Sequence, residues 1–409
     1  MYINPDVAYA KVKDIDMLFN FDNGVVAGID QRGLAFYKDV ISHQVSEKNQ
    51  LTDEESDFFN YLIENEFISD SPFIKKDQVV TAYLHLTNRC NLHCVGCYSY
   101  DEKRNRDEDL TLEDMLNGIR LLKDAGIENL VFSGGEPLLR RDLIKILRFA
   151  KVECQIPNIV LITNGTVYNK TIISEMSKFV DTVSVSVDSY SAECPSFIRD
   201  SGIFNRIMDT VSLLKENGNN VNLIPTVHHL NADKLLEYVN LAEKMGVSVS
   251  FSILSACFEG EMKRFLPNAK DIRSISNFMI DSDLSLEDSA IRGETLQAEN
   301  YCGAGKTMIS IGTDGNIYPC HMLMEEKFCL GNIKDHTIVH MRENTNKLFS
   351  SISVDNVKGC NRCEYKYLCG GGCRARAYMK HRDIYKKDPY CELFFNYYEN
   401  LTTNLFLNN

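Results

Sequence analysis

Residues 79–97 read VVTAYLHLT, then Asn88-Arg89, then Cys90-Asn91-Leu92-His93-Cys94-Val95-Gly96-Cys97. The first nine are rich in β-branched and aromatic residues and suit a strand. Behind that strand end stand three thiols on one short loop. Such a loop can hold three corners of a four-iron, four-sulfur cluster and leave one iron free for a substrate. A zinc site with His93 as fourth ligand is the alternative, though adjacent His93 and Cys94 would point in different directions.

Outward from this loop, strand, loop and helix repeat. Strands are expected at 79–87, 129–135, 159–165, 182–188, 221–227 and 247–254. Helical patterns such as TLEDMLNGIRLLKDAG and DKLLEYVNLAEKMG lie between them, and Gly126, Gly218 and Gly246 stand at helix ends. Six β–α units with apolar strands predict an α/β fold, a parallel sheet covered by helices. A partial barrel and an open doubly wound sheet both fit. Either way, chemistry belongs at the carboxyl ends of the strands.

Those ends carry further polar groups. The second strand runs into Ser133-Gly134-Gly135-Glu136-Pro137, the third into Thr163-Asn164-Gly165, and the fourth carries Ser186 and Asp188 on one face. Paired glycines let a backbone approach a ligand, and a carboxylate can receive an ammonium group. Taken singly, each is an ordinary turn or a solvent-facing pair.

Together with C-x-x-x-C-x-x-C followed by Tyr98, the GGEP segment resembles the radical S-adenosylmethionine (SAM) superfamily. The resemblance implies a partial (β/α)6 TIM-type barrel, with Cys90, Cys94 and Cys97 on the SAM-binding cluster. It implies that Gly134, Gly135 and Glu136 hold the SAM amino group, with Thr163 and Asn164 in the same cofactor site. Ser186 and Asp188 would take the ribose and methionine part, Tyr98 would lie beside the adenine, and Arg199 would meet a carboxylate unless it makes only a surface salt bridge. The implied chemistry is cleavage of SAM to a 5′-deoxyadenosyl radical that abstracts hydrogen.

Beyond residue 285 the rhythm fades and GTDGNIYPC predicts a hairpin around Asp314-Gly315. Cys302, Cys320, Cys360, Cys363, Cys369, Cys373 and Cys391 follow in an order that resembles the SPASM domain. That resemblance implies two auxiliary clusters, one on Cys360, Cys363, Cys369 and Cys391, the other on Cys302, Cys320 and Cys373. With the SAM cluster this makes three 4Fe-4S clusters. The second auxiliary set has three thiols, since Met308 stands near where related enzymes place another Cys, and a thioether is a poor substitute. Cys329 could close the site, or an exogenous thiolate. Cys154, Cys194 and Cys257 fall outside both patterns and are expected to be buried.

Residues 1–77 read as a separate module: strands around Asn23-Gly24, then helices, the second capped by Thr52 with Glu55 three residues on. The order resembles a PqqD-like RiPP recognition element, a winged-helix-like domain that binds leader peptides of ribosomally made substrates by β-augmentation. Expected domains are thus 1–77, 78–285 and 286–409. The module carries 7 basic and 15 acidic residues, much of the net −13 of a 409-residue chain. No basic footprint predicts a nucleic-acid substrate. No apolar run or signal predicts a membrane span or secretion, so the 14 cysteines suggest a cytoplasmic metalloprotein.

The function so implied is a radical SAM maturase crosslinking a precursor peptide that carries a leader, with flavodoxin or ferredoxin as electron donor. A Cys thioether of sactipeptide or ranthipeptide type is favoured over a carbon–carbon bond. Formylglycine formation as in anaerobic sulfatase maturases is the alternative. There His321 would occupy the position of an Asp base, and it is a candidate catalytic residue here.

Overall fold

The structure is a computed structural model that describes all residues except 43–50, 75–78, 100–103, 107–108, 256–257, 283, 285, 288–294, 336–348, 350–351 and 408–409. Cys257 lies outside the described residues. The N-terminal module contains β1 (Val7–Val12), β2 (Ile15–Asn20), β3 (Val26–Ile29), α1 (Gln31–Ile41) and α2 (Asp53–Glu64). The three strands form an antiparallel meander. Thr52 and Glu55 close the expected capping box on α2. One face of the meander sends Leu18 and Ala27 into a small core with Phe36, Val40, Phe59 and Leu62.

Strand β1 is not announced by the sequence pattern. Its hairpin to β2 turns at Lys13-Asp14, with Lys13 at φ 54° and no Gly or Asn to announce it. Contacts far along the chain hold that turn: the Lys13 N–H donates to Glu364 at 2.9 Å and its ammonium reaches the Glu399 carbonyl at 3.2 Å.

The main sheet is built from β4 (Thr81–His85), β5 (Asn129–Ser133), β6 (Asn158–Thr163), β7 (Thr182–Ser186), β8 (Asn220–Ile224) and β9 (Ser248–Val249), adjacent in sequence order and parallel. Between β4 and β5 runs α3 (Leu112–Asp124), whose Met115, Ile119 and Leu122 enter the core. The strands' apolar residues meet helices on the outside, which makes the expected partial TIM-type barrel. All six expected strands form, but the last two break. Their outer halves form a separate small parallel sheet, in which Phe251–Ile253 lies between Thr226–Val227 and Leu286–Glu287.

The cysteine-rich region extends the same sheet. β10 (Met308–Ile311) lies parallel to β4, and β11 (Asn316–Tyr318) and β12 (Gly331–Asn332) follow antiparallel. Asp314-Gly315 makes the expected turn, with Gly315 at φ 86°. Sheet hydrogen bonds therefore cross the expected boundary at residue 285. A last pair of helices, α4 (Ala269–Ser282) and α5 (Cys391–Leu407), packs together. Val12, Met17 and Phe19 of the N-terminal module share a core with Tyr365, Leu368 and Phe394 of the C-terminal region. Among the described residues no helix is long and apolar enough to cross a membrane.

Candidate active site

The cysteine loop leaves β4 and is pinned at every turn. The Thr87 hydroxyl and Asn88 N–H donate to Asp109 at 2.6 and 2.7 Å, and the Cys90 N–H donates to Asn105 Oδ1 at 2.9 Å. The His93 N–H donates to Asp200, while the Val95 N–H donates to the Ile198 carbonyl at 2.7 Å. Asn105, Asp109 and Asp200 were not singled out from sequence, since nothing local ties them to the loop.

The 133–136 turn fits against this loop by lacking side chains. The Gly135 and Glu136 N–H groups each donate at 2.7 Å, to the Thr87 and Arg89 carbonyls. A Cβ on Gly135 would lie 2.2 Å from the Arg89 oxygen, so only glycine allows this approach.

One cavity of about 190 Å³ gathers Cys90, Cys94, Cys97, Tyr98, Gly134, Gly135, Thr163, Asn164, Ser186, Asp188, Arg199 and His321 in its wall. Each sulfur faces a polar side chain. Asn164 Nδ2 lies 3.9 Å from Cys90, Arg199 Nη1 lies 3.5 Å from Cys94, and the Ser99 hydroxyl lies 3.4 Å from Cys97. Burial pushes the Cys94 thiol up to about 11 against the pull of Arg199, so binding iron there must release a proton.

Glu136 has protein partners that the sequence pattern does not announce. It is fully buried away from that cavity, accepting from the Leu138 N–H, the Thr163 hydroxyl and the Asn164 N–H at 3.0, 2.8 and 2.7 Å. Its carboxylate ties two strand ends together. Arg199 is no surface residue either: it donates to Asp188 at 2.6 Å, and the two side chains are 12% and 0% exposed. Burial works against the guanidinium charge, but Asp188 and Cys94 outweigh it. Tyr98 hydrogen-bonds Ser133 at 2.6 Å. His93 points outward, 84% exposed and 3.6 Å from Asp200, which removes it as a partner for the thiols.

Two more cavities follow in series. Tyr83, His321 and Met322 line both the first and a second of about 400 Å³, whose wall includes Cys302, Cys320, Cys373 and Met308. His321 is buried there, stacked on Tyr83 at 4.2 Å. Cys369 lines both the second and a third of about 230 Å³, which it shares with Cys360, Cys363 and Cys391. Burial pushes Cys373 up to about 12 and Cys360 to about 11. Gly370, Gly371 and Gly372, at φ 61°, 90° and 70°, wind the chain between Cys369 and Cys373. Asp388 then fixes Cys373, accepting its N–H at 2.6 Å while paired with the buried Arg376 at 2.8 Å. Cys329 lies off these cavities, its thiol 3.3 Å from the Gly331 carbonyl. Cys154 is buried as expected, whereas Cys194 is only half-buried in a loop.

Residues 84–242 match the radical SAM superfamily, and residues 302–364 match SPASM, an iron-sulfur cluster-binding domain. The chain carries a radical SAM domain and a SPASM domain, and it is an enzyme. Mycofactocin maturase MftC of Mycolicibacterium smegmatis is 26% identical over 321 residues, spanning 75% of this chain and 81% of that protein. AdoMet-dependent heme synthase of Methanosarcina barkeri is 25% identical over 335 residues, spanning 75% of this chain and 94% of that protein. Streptococcus suis SuiB bound to precursor peptide SuiA superposes with TM-score 0.63 at 17% identity, over 96% of this chain and 99% of that one. That coverage must reach into residues 1–77.

The donor set of this enzyme fits iron–sulfur clusters. Every described cysteine is free of disulfides. Among the described residues no three His, Cys, Asp or Glu side chains gather tightly enough for a lone metal ion. A cluster binds each thiolate to a separate iron, so thiols spaced around a cavity suit it.

Proposed function

We propose that this enzyme matures a ribosomally made peptide, abstracting hydrogen from a core residue and forming an intramolecular crosslink, by preference a Cys thioether. The observation that carries it is the series of three thiol-lined cavities in one chain whose N-terminal domain is an antiparallel three-strand meander followed by two helices. When bound, the reduced SAM cluster supplies the electron that splits SAM into methionine and the 5′-deoxyadenosyl radical.

Cys90, Cys94 and Cys97 hold that cluster, and three polar side chains beside their sulfurs favour its charge. The bare backbone at Gly134 and Gly135 receives the SAM amino group, Ser186 and Asp188 the ribose and methionine part, and Tyr98 the adenine. Thr163 and Asn164 are held for the same site by Glu136, and Arg199 by Asp188. His321, common to the first two cavities, meets the substrate between them.

Three clusters fill the three cavities. The middle cavity offers Cys302, Cys320 and Cys373, with Met308 in place of a further thiol, and so has room for a substrate thiolate. That count is the reason for preferring the thioether. Hyperfine spectra showing a fourth protein thiolate in the substrate-free enzyme would remove it. The N-terminal domain takes the leader as an added strand, and its acidic surplus favours a basic leader.

The test gives the reduced enzyme SAM and the short peptide encoded beside its gene, with and without leader. Modification that needs the leader and weakens with salt supports the reading. Equal modification of a leaderless core, or activity only on a tetrapyrrole, overturns it. Formylglycine formation, the second reading, would leave one oxidised residue and no link between two.

A further inference from the structure

Charge reverses sharply near the third cavity. Residues 358–388 carry nine Lys and Arg against three Asp and Glu, a surplus of +6 in a chain of net −13. Two of the nine, Arg374 and Arg376, are buried, but Lys358, Arg362, Lys380, Arg382, Lys386 and Lys387 are exposed. Asp383, 3.8 Å from Lys358, and Glu325, 3.3 Å from Arg382, offset two of them and leave a surface surplus.

Backbone geometry concentrates this charge. Lys358 and Lys386 pair as a parallel bridge, with the Lys358 N–H donating to the Tyr385 carbonyl at 2.8 Å. Arg362 and Lys387 stand in the wall of the cavity that holds Cys360, Cys363, Cys369 and Cys391. In the same wall Phe395 is 37% exposed, an aromatic that shares the cavity lining with Arg362, Lys366 and Lys387. Exposed aromatics are enriched at protein interfaces, and a surface surplus of one sign steers an oppositely charged partner.

We infer that this surface docks a small acidic one-electron carrier of the flavodoxin class, at the outer end of the three cavities. One electron would pass per encounter: the anionic flavin hydroquinone would become the neutral semiquinone, a cluster held by Cys360, Cys363, Cys369 and Cys391 would go from 2+ to 1+, and no bond or proton would move. The inference rests on the proposed function only for the need of electrons.

The test follows reduction of the cluster-loaded enzyme by flavodoxin hydroquinone in a stopped-flow instrument, alongside binding of oxidised flavodoxin. Lys358→Glu with Lys386→Glu should lower the second-order rate at low salt by about tenfold or more, with the gap closing at high salt. Dithionite should reduce wild type and variant equally, with iron content and cluster spectra unchanged. Lys170→Glu with Lys244→Glu, the same charge change on exposed barrel-helix positions, should match wild type. Wild-type rates in the patch variant, or an equal fall in the barrel variant, overturn the inference. So does a loss confined to binding of anionic phospholipid vesicles or single-stranded DNA. Failure of peptide modification under dithionite would count against the proposed reaction instead, leaving the docking result to stand by itself.

Discussion

Asp188 and Arg199 show how one buried pair organises the site. Asp188 accepts from Arg199 and from the Thr226 N–H at 3.1 Å, so it joins the cysteine loop's neighbour to the barrel's fifth strand. Breaking a buried pair leaves an uncompensated charge, at a cost of about 3–5 kcal/mol. Asp188→Asn should therefore lower SAM affinity roughly tenfold or more by equilibrium dialysis. Arg199→Lys should not restore it, because an ammonium cannot reproduce the guanidinium fork.

Two buried histidines give a pH dependence. Burial is the first cause holding His85 at about 3 and His228 at about 4, both below the ordinary 6.5. The unfolded chain thus takes up protons that the folded one excludes, so stability present above pH 6.5 is lost as pH falls toward those values. Between pH 7 and 6 the loss is about 0.7 kcal/mol per histidine. Urea unfolding at the two pH values should show it, and His85→Phe should remove its share.

At the scale of elements, the 133–136 turn is the hinge on which the cluster loop depends. Gly135→Ala forces a Cβ onto the Arg89 carbonyl and must displace the chain before Cys90. Reconstituted protein should then hold about four fewer irons of roughly twelve, with the auxiliary clusters retained; full iron content would show the loop tolerates the shift. The strands and the cysteine spacing were legible in the sequence because they repeat along the chain: apolar runs recur with each β–α unit, and a cluster fixes the intervals between its ligands. What escaped was set by distant parts. The Lys13-Asp14 turn is held by Glu364 and Glu399, and Asn105 and Asp200 grip the loop from across the chain. The bonds from Glu136 to Thr163 and Asn164 escaped for the same reason, since those residues belong to another strand end.

Over the whole molecule, the N-terminal module is joined to the rest by more than a linker. Phe19 and Phe21 pack on Tyr367 at 5.5 and 5.1 Å, and the Ala298 N–H donates to the Gly24 carbonyl at 2.8 Å. Phe21 also lines the middle cavity. Deleting residues 1–77 would bare the core shared by Met17 and Leu368, and size-exclusion chromatography should find that protein aggregated. Leader dependence is therefore better tested by shortening the peptide than the enzyme. The most direct measurement is anaerobic incubation of the full chain with SAM, reductant and the neighbouring encoded peptide, followed by tandem mass spectrometry. The account predicts 5′-deoxyadenosine together with a peptide lacking two hydrogens, the loss confined between two linked residues. Formation of 5′-deoxyadenosine with the peptide mass unchanged, or no SAM cleavage at all, would contradict it.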